Sequence, residues 1–202
     1  MSAALAEQLR ALAPLEIVAV VAAVAYLVLA IRQNILCWWF ALLSTAIYIS
    51  LFIEARLYME SLLNAFYFVM AGYGLYFWYA GGDRDNGLPV TRWGWPVHAA
   101  ALAVVVTASL LSGFLLDRYT AAAFPYVDSL TTFAAFWATF LVARKVLENW
   151  WYWLAIDAVS IYLYWARDLQ LTALLFVAYL LLIPFGLVAW TRAYGRQAPA
   201  AA

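Results

Sequence analysis

The sequence predicts an all-α integral membrane protein with seven transmembrane helices. Three observations lead there. Of 202 residues, 69% are hydrophobic and only 11% are charged, whereas soluble domains average about 45–50% and about 25%. The apolar residues gather into seven runs close to the roughly 20 residues that a spanning helix needs. The breaks between the runs are short and polar. Mean hydropathy is +0.87, so lipid is the solvent that such a surface demands.

The spans predicted are 15–31, 36–53, 58–79, 96–116, 124–142, 149–165 and 168–191. They are separated at Arg32-Gln33-Asn34, Glu54-Ala55-Arg56, Asp117-Arg118-Tyr119, Arg144-Lys145 and Arg167-Asp168. The longest loop, Gly81 to Pro89, is rich in turn residues and parts the first three spans from the rest. Several spans end in Trp or Tyr, which anchor at the membrane interface. The first run could be read as a signal peptide after Arg10, but no clear Ala-x-Ala site follows before Arg32. Formal net charge is zero, which offers no surface for nucleic acid. One cysteine and one histidine, Cys37 and His98, exclude an internal disulfide and an ordinary zinc site, and no cofactor is expected.

Seven spans put the termini on opposite sides. Arg10, Arg56, Arg118 and Arg167 fall on one side. Arg32, Arg84, Arg92, Arg144, Lys145, Arg192 and Arg196 fall on the other. The positive-inside rule then places the N-terminus outside and the C-terminus in the cytoplasm.

Sliding the chain against itself by 112 residues reveals an internal repeat. Arg32 meets Arg144, Trp38-Trp39 meets Trp150-Trp151, Gly74-Leu75 meets Gly186-Leu187, and Trp78 meets Trp190. Between 32–78 and 144–190, 14 of 47 positions are identical. Composition alone gives roughly four or five. Spans 1–3 (15–79) therefore correspond to spans 5–7 (124–191), and span 4 (96–116) links them. One intervening span makes the two three-helix repeats parallel, a 3+1+3 layout. Carriers built this way hold solute near the midplane between the repeats.

Polar residues at membrane depth cost about 2.5–3.5 kcal/mol when charged, so they face a cavity or a partner. Asp157 lies in the middle of the sixth span. Asn149, Trp153, Asp157, Ser160 and Tyr164 recur at helical spacing on one face, with Trp150 beside them and Leu154, Ala155, Val159 and Leu163 expected opposite. The bland alternative for Asp157 is a carboxylate bonded to a neighbouring helix. On the third span Glu60, Asn64, Tyr67, Ala71, Gly74 and Trp78 form a second face. Glu60 is near an end and is as readily explained by water, whereas Asn64 is deeper. Asp128 opens the fifth span, as an N-cap or a ligand, followed by Thr131 and Thr132. Thr45 and Tyr48 hold the repeat positions of Asp157 and Ser160. Indoles, an amide and a carboxylate suit a flat cationic ring. A phosphorylated solute is disfavoured, because no Arg or Lys lies at depth.

The segment Arg144-Lys145-Val146-Leu147-Glu148-Asn149-Trp150-Trp151-Tyr152-Trp153 resembles a signature of the PnuC-type vitamin transporters. So do Leu57-Tyr58 with Asn64, Tyr73-Gly74 and Trp78, and Phe124-Pro125-Tyr126 with Asp128-Ser129. The likeness runs over nearly the whole chain, and Trp150-x-x-Trp153 is its most specific part. It implies a SWEET-like 3+1+3 fold in the bacterial inner membrane. It also implies uptake of a B-type vitamin by facilitated diffusion, trapping by a cytoplasmic kinase, and assembly as a trimer. Nicotinamide riboside is the substrate the resemblance puts first, with thiamine and riboflavin as alternatives. The family often has Gln where Asn64 stands and Asn where Asp157 stands, and the acidic residue looks more like the thiamine branch. Rival readings are an enzyme, a channel and a structural subunit. No protease, Gly-x-Ser-x-Gly or Walker motif occurs. The sparse, aromatic-blocked polar residues do not make a channel lining.

Overall fold

Each predicted span is helical in a computed structural model, which describes residues 14–54, 58–81, 88–120, 124–166 and 170–197, with side chains at 54, 58–60 and 171 left aside. Among these residues there are seven helices: α1 Pro14–Ile31, α2 Leu36–Glu54, α3 Tyr58–Ala80, α4 Trp95–Tyr119, α5 Pro125–Ala143, α6 Asn149–Ala166 and α7 Gln170–Gln197. Arg10, Arg56, Arg84, Arg167, Asp168 and the side chain of Glu60 lie outside the description. By length and composition α1, α2, α4, α5 and α7 can each cross a membrane. The two remaining helices, α3 and α6, are less apolar because they carry the polar faces picked out above.

Two boundaries differ from expectation. Asp117-Arg118-Tyr119 is not a break. It is the last turn of α4, closed by Thr120, whose N–H and hydroxyl both donate to the Leu116 carbonyl (2.9 and 2.6 Å). Helix α7 runs six residues beyond the expected end at 191. A helix needs no lipid to continue into water, and Arg196 in its last turn suits the negative end of the dipole.

The chain divides into two compact units. The first holds α1, α2 and α3, residues 143–145, and α7 from Phe185 onward. Its helices pack in sequence, α1 on α2 and α2 on α3. Buried hydroxyls tie them: Ser44 donates to the Ala19 carbonyl (2.9 Å) and Ser61 to that of Ile49 (3.3 Å). The core is indole. Trp38 meets Trp78 edge-on at 5.4 Å, and Tyr26 lies 5.8 Å from Trp38. Trp190 approaches Trp78 to 6.2 Å and donates its Nε1–H to the Ala30 carbonyl (3.0 Å). Gly74 is required here, since a Cβ would strike the Trp38 ring.

The second unit holds α4, α5, α6 and α7 up to Pro184. Gly94 and Pro96 start α4. Gly113 lets α4 approach Tyr126 of α5 closely, and Ser129 bonds to Ser112 (3.2 Å). The segment before α4 runs parallel beside the start of the α6 segment: Thr91 bridges Val146, and the Leu147 N–H donates to the Thr91 carbonyl (2.8 Å). Glu148 accepts from Arg92 (2.9 Å) and from the Trp93 N–H (3.3 Å).

Three backbone bonds of the turn between α1 and α2 recur between α5 and α6. Asn34 N–H donates to Leu29 O (2.9 Å), and Val146 N–H donates to Leu141 O (2.9 Å). The bonds from Cys37 to Asn34 and from Trp38 to Ile35 are matched by those from Asn149 to Val146 and from Trp150 to Leu147. Each pair differs by 112. Gln33 (φ 56°) and Lys145 (φ 50°), also 112 apart, both adopt the left-handed conformation that ends a helix in a Schellman-type turn.

Candidate functional site

Helix α6 presents the largest set of expected site residues, all within the second unit. Asn149 opens the helix fully buried, and its Nδ2 donates to the Val146 carbonyl (2.7 Å). Its Oδ1 has no partner among the described residues. Trp150, Asp157 and Ser160 are buried, and Trp153 and Tyr164 are half-buried. Tyr164 stacks on Phe176 of α7 (5.1 Å). Asp157 is 3% exposed, and no hydrogen bond or ion pair from a described residue reaches its carboxylate. A buried acid left without donors is rare, because its desolvation goes unrepaid. Among the described residues, the alternative reading of Asp157, a carboxylate bonded to a neighbouring helix, has no bond to support it.

The buried stripe of α6 is wider than expected. Leu163, placed on the opposite face by the sequence, is buried at 2% exposure. It follows Ser160 by three residues, which is a same-face spacing. The exposed side holds Trp151, Ala155, Ala158, Val159, Tyr162 and Trp165.

Asp128 is half-buried and lies inside the first turn of α5, not at its cap. Its own N–H already makes a helical bond to Phe124 O (2.9 Å), which an N-cap would lack. Its carboxylate still sits at the positive end of the helix dipole. Thr131 turns its hydroxyl back to the Val127 and Asp128 carbonyls (3.1 and 3.0 Å).

In the first unit, α3 carries Asn64 and Tyr67, both half-buried, on the face that continues through Ala71, Gly74 and Trp78 to full burial. Thr45 on α2 bonds back to the Ala41 carbonyl (2.7 Å) and Tyr48 stacks on Phe52 (5.5 Å). The repeat position of Asp157 thus carries a hydroxyl that its own helix has satisfied.

Two groupings went unread in the sequence. Arg144 and Lys145 lie over the Phe77 and Trp78 rings, each 4.5 Å from the centroid. The sequence marks them as a polar break, as charges on one side of the membrane and as the start of the family-like segment, but gives neither an aromatic partner. His98 is buried in the second unit, with Nδ1 3.1 Å from the Tyr152 hydroxyl and its ring edge-on to Trp137. His98 and Tyr152 lie 54 residues apart, so no local spacing marks that pairing.

Helices made of lipid-compatible residues, with a carboxylate, an amide and indoles turned inward, define a multi-pass membrane protein that handles a solute. Comparison with known proteins agrees. Residues 13–192 match the family described as nicotinamide mononucleotide transporter, and the chain belongs to that family. It is a transporter, not an enzyme. It is 25% identical over 194 residues to the nicotinamide riboside transporter PnuC of Escherichia coli, covering 81% of each chain. It is 26% identical over 124 residues to the riboflavin/roseoflavin transporter RibM of Streptomyces davaonensis, covering 60% of this chain and 58% of that one. The fold matches a crystal structure of the vitamin B3 transporter PnuC with TM-score 0.74 at 21% identity, over 91% of this chain and 83% of that one.

Proposed function

We propose that this protein takes nicotinamide riboside across the bacterial inner membrane by facilitated diffusion. The N-terminus is outside and the C-terminus is in the cytoplasm. Two parallel three-helix repeats, 15–79 and 124–191, joined by the span 96–116, give alternating access. The residues proposed to touch the solute are Asn149, Trp150, Trp153, Asp157, Ser160 and Tyr164 on α6, Asp128 on α5, and Asn64 and Tyr67 on α3. Assembly as a trimer belongs to the same proposal.

One observation carries this reading: the buried carboxylate of Asp157, without a donor among the described residues, midway along a helix whose same face holds indoles. A pyridinium ring supplies both what the acid lacks and what the indoles attract. The likeness to a nicotinamide riboside transporter over most of the chain supports that choice of ring. The recurrence of one turn at an offset of 112 residues supports the repeat.

A second reading, a riboflavin or thiamine carrier, has two supports: the likeness to RibM and the acid at position 157. A thermal-shift panel on the purified protein separates them. Nicotinamide riboside at 100 times its Kd should stabilise the protein by about 2.7 kcal/mol. A shift with thiamine or riboflavin and none with nicotinamide riboside would transfer the assignment.

A further inference from the structure

We infer that His98 is a positioning residue for the solute face of α6: by accepting the Tyr152 hydroxyl it sets how α6 is turned about its own axis, and so how Trp153 and Asp157 are presented. The inference rests on the reading of α6 given above, and every group in it belongs to the second unit.

His98 and Tyr152 both lie in the first turns of their helices, α4 and α6. The segments ahead of those helices are already joined, by the Thr91–Val146 bridge, by the Leu147 N–H bond to Thr91 and by the Arg92–Glu148 ion pair. The contact between His98 Nδ1 and the Tyr152 hydroxyl (3.1 Å) carries that seam into the helices themselves. Its direction follows from what surrounds the phenol. The Trp137 Nε1–H of α5 faces Tyr152 without closing a bond, and an indole N–H cannot accept. The Tyr152 O–H therefore donates to His98 Nδ1, and His98 carries its proton on Nε2.

Histidine is a costly choice for this place. His98 is 5% exposed, and its Nε2 has no partner among the described residues. A buried N–H left bare lowers stability, and a leucine there would avoid that loss. What a leucine lacks is direction. In lipid, an apolar side chain gains little by facing a neighbouring helix instead of the bilayer. Helix α6 is apolar on both sides: Ile156 and Leu163 are buried, while Val159, Tyr162 and Trp165 are exposed. Hydropathy therefore sets its rotation weakly, and a hydrogen bond sets it sharply. Tyr152 stands about 100° round the helix from Trp153, so a bond there orients the solute face without occupying it.

The repeat supplies an internal control. Phe40 occupies the position of Tyr152 in the first repeat, 112 residues earlier. Helix α2 begins with the same backbone bonds as α6, so a helix start of this kind needs no hydroxyl. The hydroxyl is present in the repeat that shares its unit with α4 and His98.

The test uses the full chain in nanodiscs at pH 8, as wild type, Tyr152→Phe, His98→Leu, His98→Asn and the double variant His98→Leu/Tyr152→Phe. Tyr152→Phe copies the residue at position 40 and should fold. His98→Asn keeps an acceptor oxygen near the place of Nδ1. His98 is the only histidine, so nitrogen labelling of histidine gives one set of imidazole signals. They should show a bare Nδ1 that shifts in Tyr152→Phe. Kd for nicotinamide riboside should rise at least about threefold in Tyr152→Phe and in His98→Leu, no further in the double variant, and little in His98→Asn. Amide exchange at residues 149–156 without ligand should quicken in the same variants that bind weakly. The melting temperature of His98→Leu should be no lower than that of wild type, which separates positioning from support of the fold. A protonated Nδ1, an unchanged Kd in both single variants, or weak binding in His98→Leu that tracks a lower melting temperature and is not rescued in His98→Asn overturns the inference. Failure of wild type to bind nicotinamide riboside would strike the functional reading instead. The imidazole signals and the exchange data would still decide whether the pair holds α6.

Discussion

In Asp157→Asn the carboxylate becomes an amide of nearly equal volume, and in Asp157→Leu it becomes hydrocarbon. Asp157 is eight residues from the start of α6 and nine from its end, or about 12 Å at about 1.5 Å rise per residue. It is 3% exposed and has no described donor. An acid at that depth costs about 2.5–3.5 kcal/mol, so Asp157→Leu should stabilise the empty protein by about 2 kcal/mol once imperfect packing is allowed for. A cation about 5 Å from the carboxylate gains about 3 kcal/mol at an effective dielectric of about 20. Desolvation takes part of that, leaving a loss of about 1–2 kcal/mol on Asp157→Asn, or about 5- to 30-fold in Kd. The assay is isothermal titration with nicotinamide riboside and with its uncharged dihydro form, beside melting of the empty protein. The cationic ligand should weaken and the uncharged one should hardly change. A lower melting temperature for both variants, with equal loss of both ligands, would make Asp157 a structural group and refute the argument.

Further outcomes follow from the packing. Trp153→Ala should weaken nicotinamide riboside by at least about 1 kcal/mol through lost ring contact, and Trp150→Phe by less. Unchanged Kd in both would remove the indoles from the solute face. Gly74→Ala drives a methyl into the buried Trp38 ring and should cost about 1–3 kcal/mol of stability. Gly72→Ala, which meets nothing within 4 Å, should be neutral or slightly stabilising, and the two melting temperatures check this. Lys145 makes a pH-dependent contribution. Burial pushes its ammonium from 10.5 down to about 8, so between those values the unfolded chain binds the extra proton and stability rises with pH. At pH 7 Lys145→Gln should therefore melt higher than wild type, by at most about 3 kcal/mol. The gap should close by about pH 10.5, and a gap that does not change with pH would contradict this.

Much of the fold was legible because lipid imposes a simple rule on the chain. Runs of about 20 apolar residues must be helices, and α1, α2, α3, α5 and α6 begin and end within a residue of the spans read from the sequence. The ends of α4 and α7 were misjudged where the chain leaves the apolar region. There hydropathy stops, but backbone bonding continues through Asp117 to Tyr119 and through Arg192 to Gln197. The α6 face was legible because polar residues at three- and four-residue spacing stand out in an apolar helix. Leu163 was misplaced because an apolar residue carries no such mark on either face. The seats of Arg144 and Lys145 were invisible, since the partners on α3 are about 67 residues away in sequence and cation–π contacts leave no periodicity. The left-handed residues were equally hidden, because Gln and Lys do not advertise that conformation as Gly does.

Counterflow in proteoliposomes puts the functional proposal to its most direct trial. Vesicles loaded with unlabelled nicotinamide riboside, with no ion gradient, are diluted into a trace of labelled solute. Carrier-mediated facilitated diffusion predicts a transient, saturable accumulation of label that is weakened in Asp157→Asn at low solute. Absence of any overshoot with nicotinamide riboside, in vesicles that exchange thiamine or riboflavin or nothing at all, would contradict the assignment.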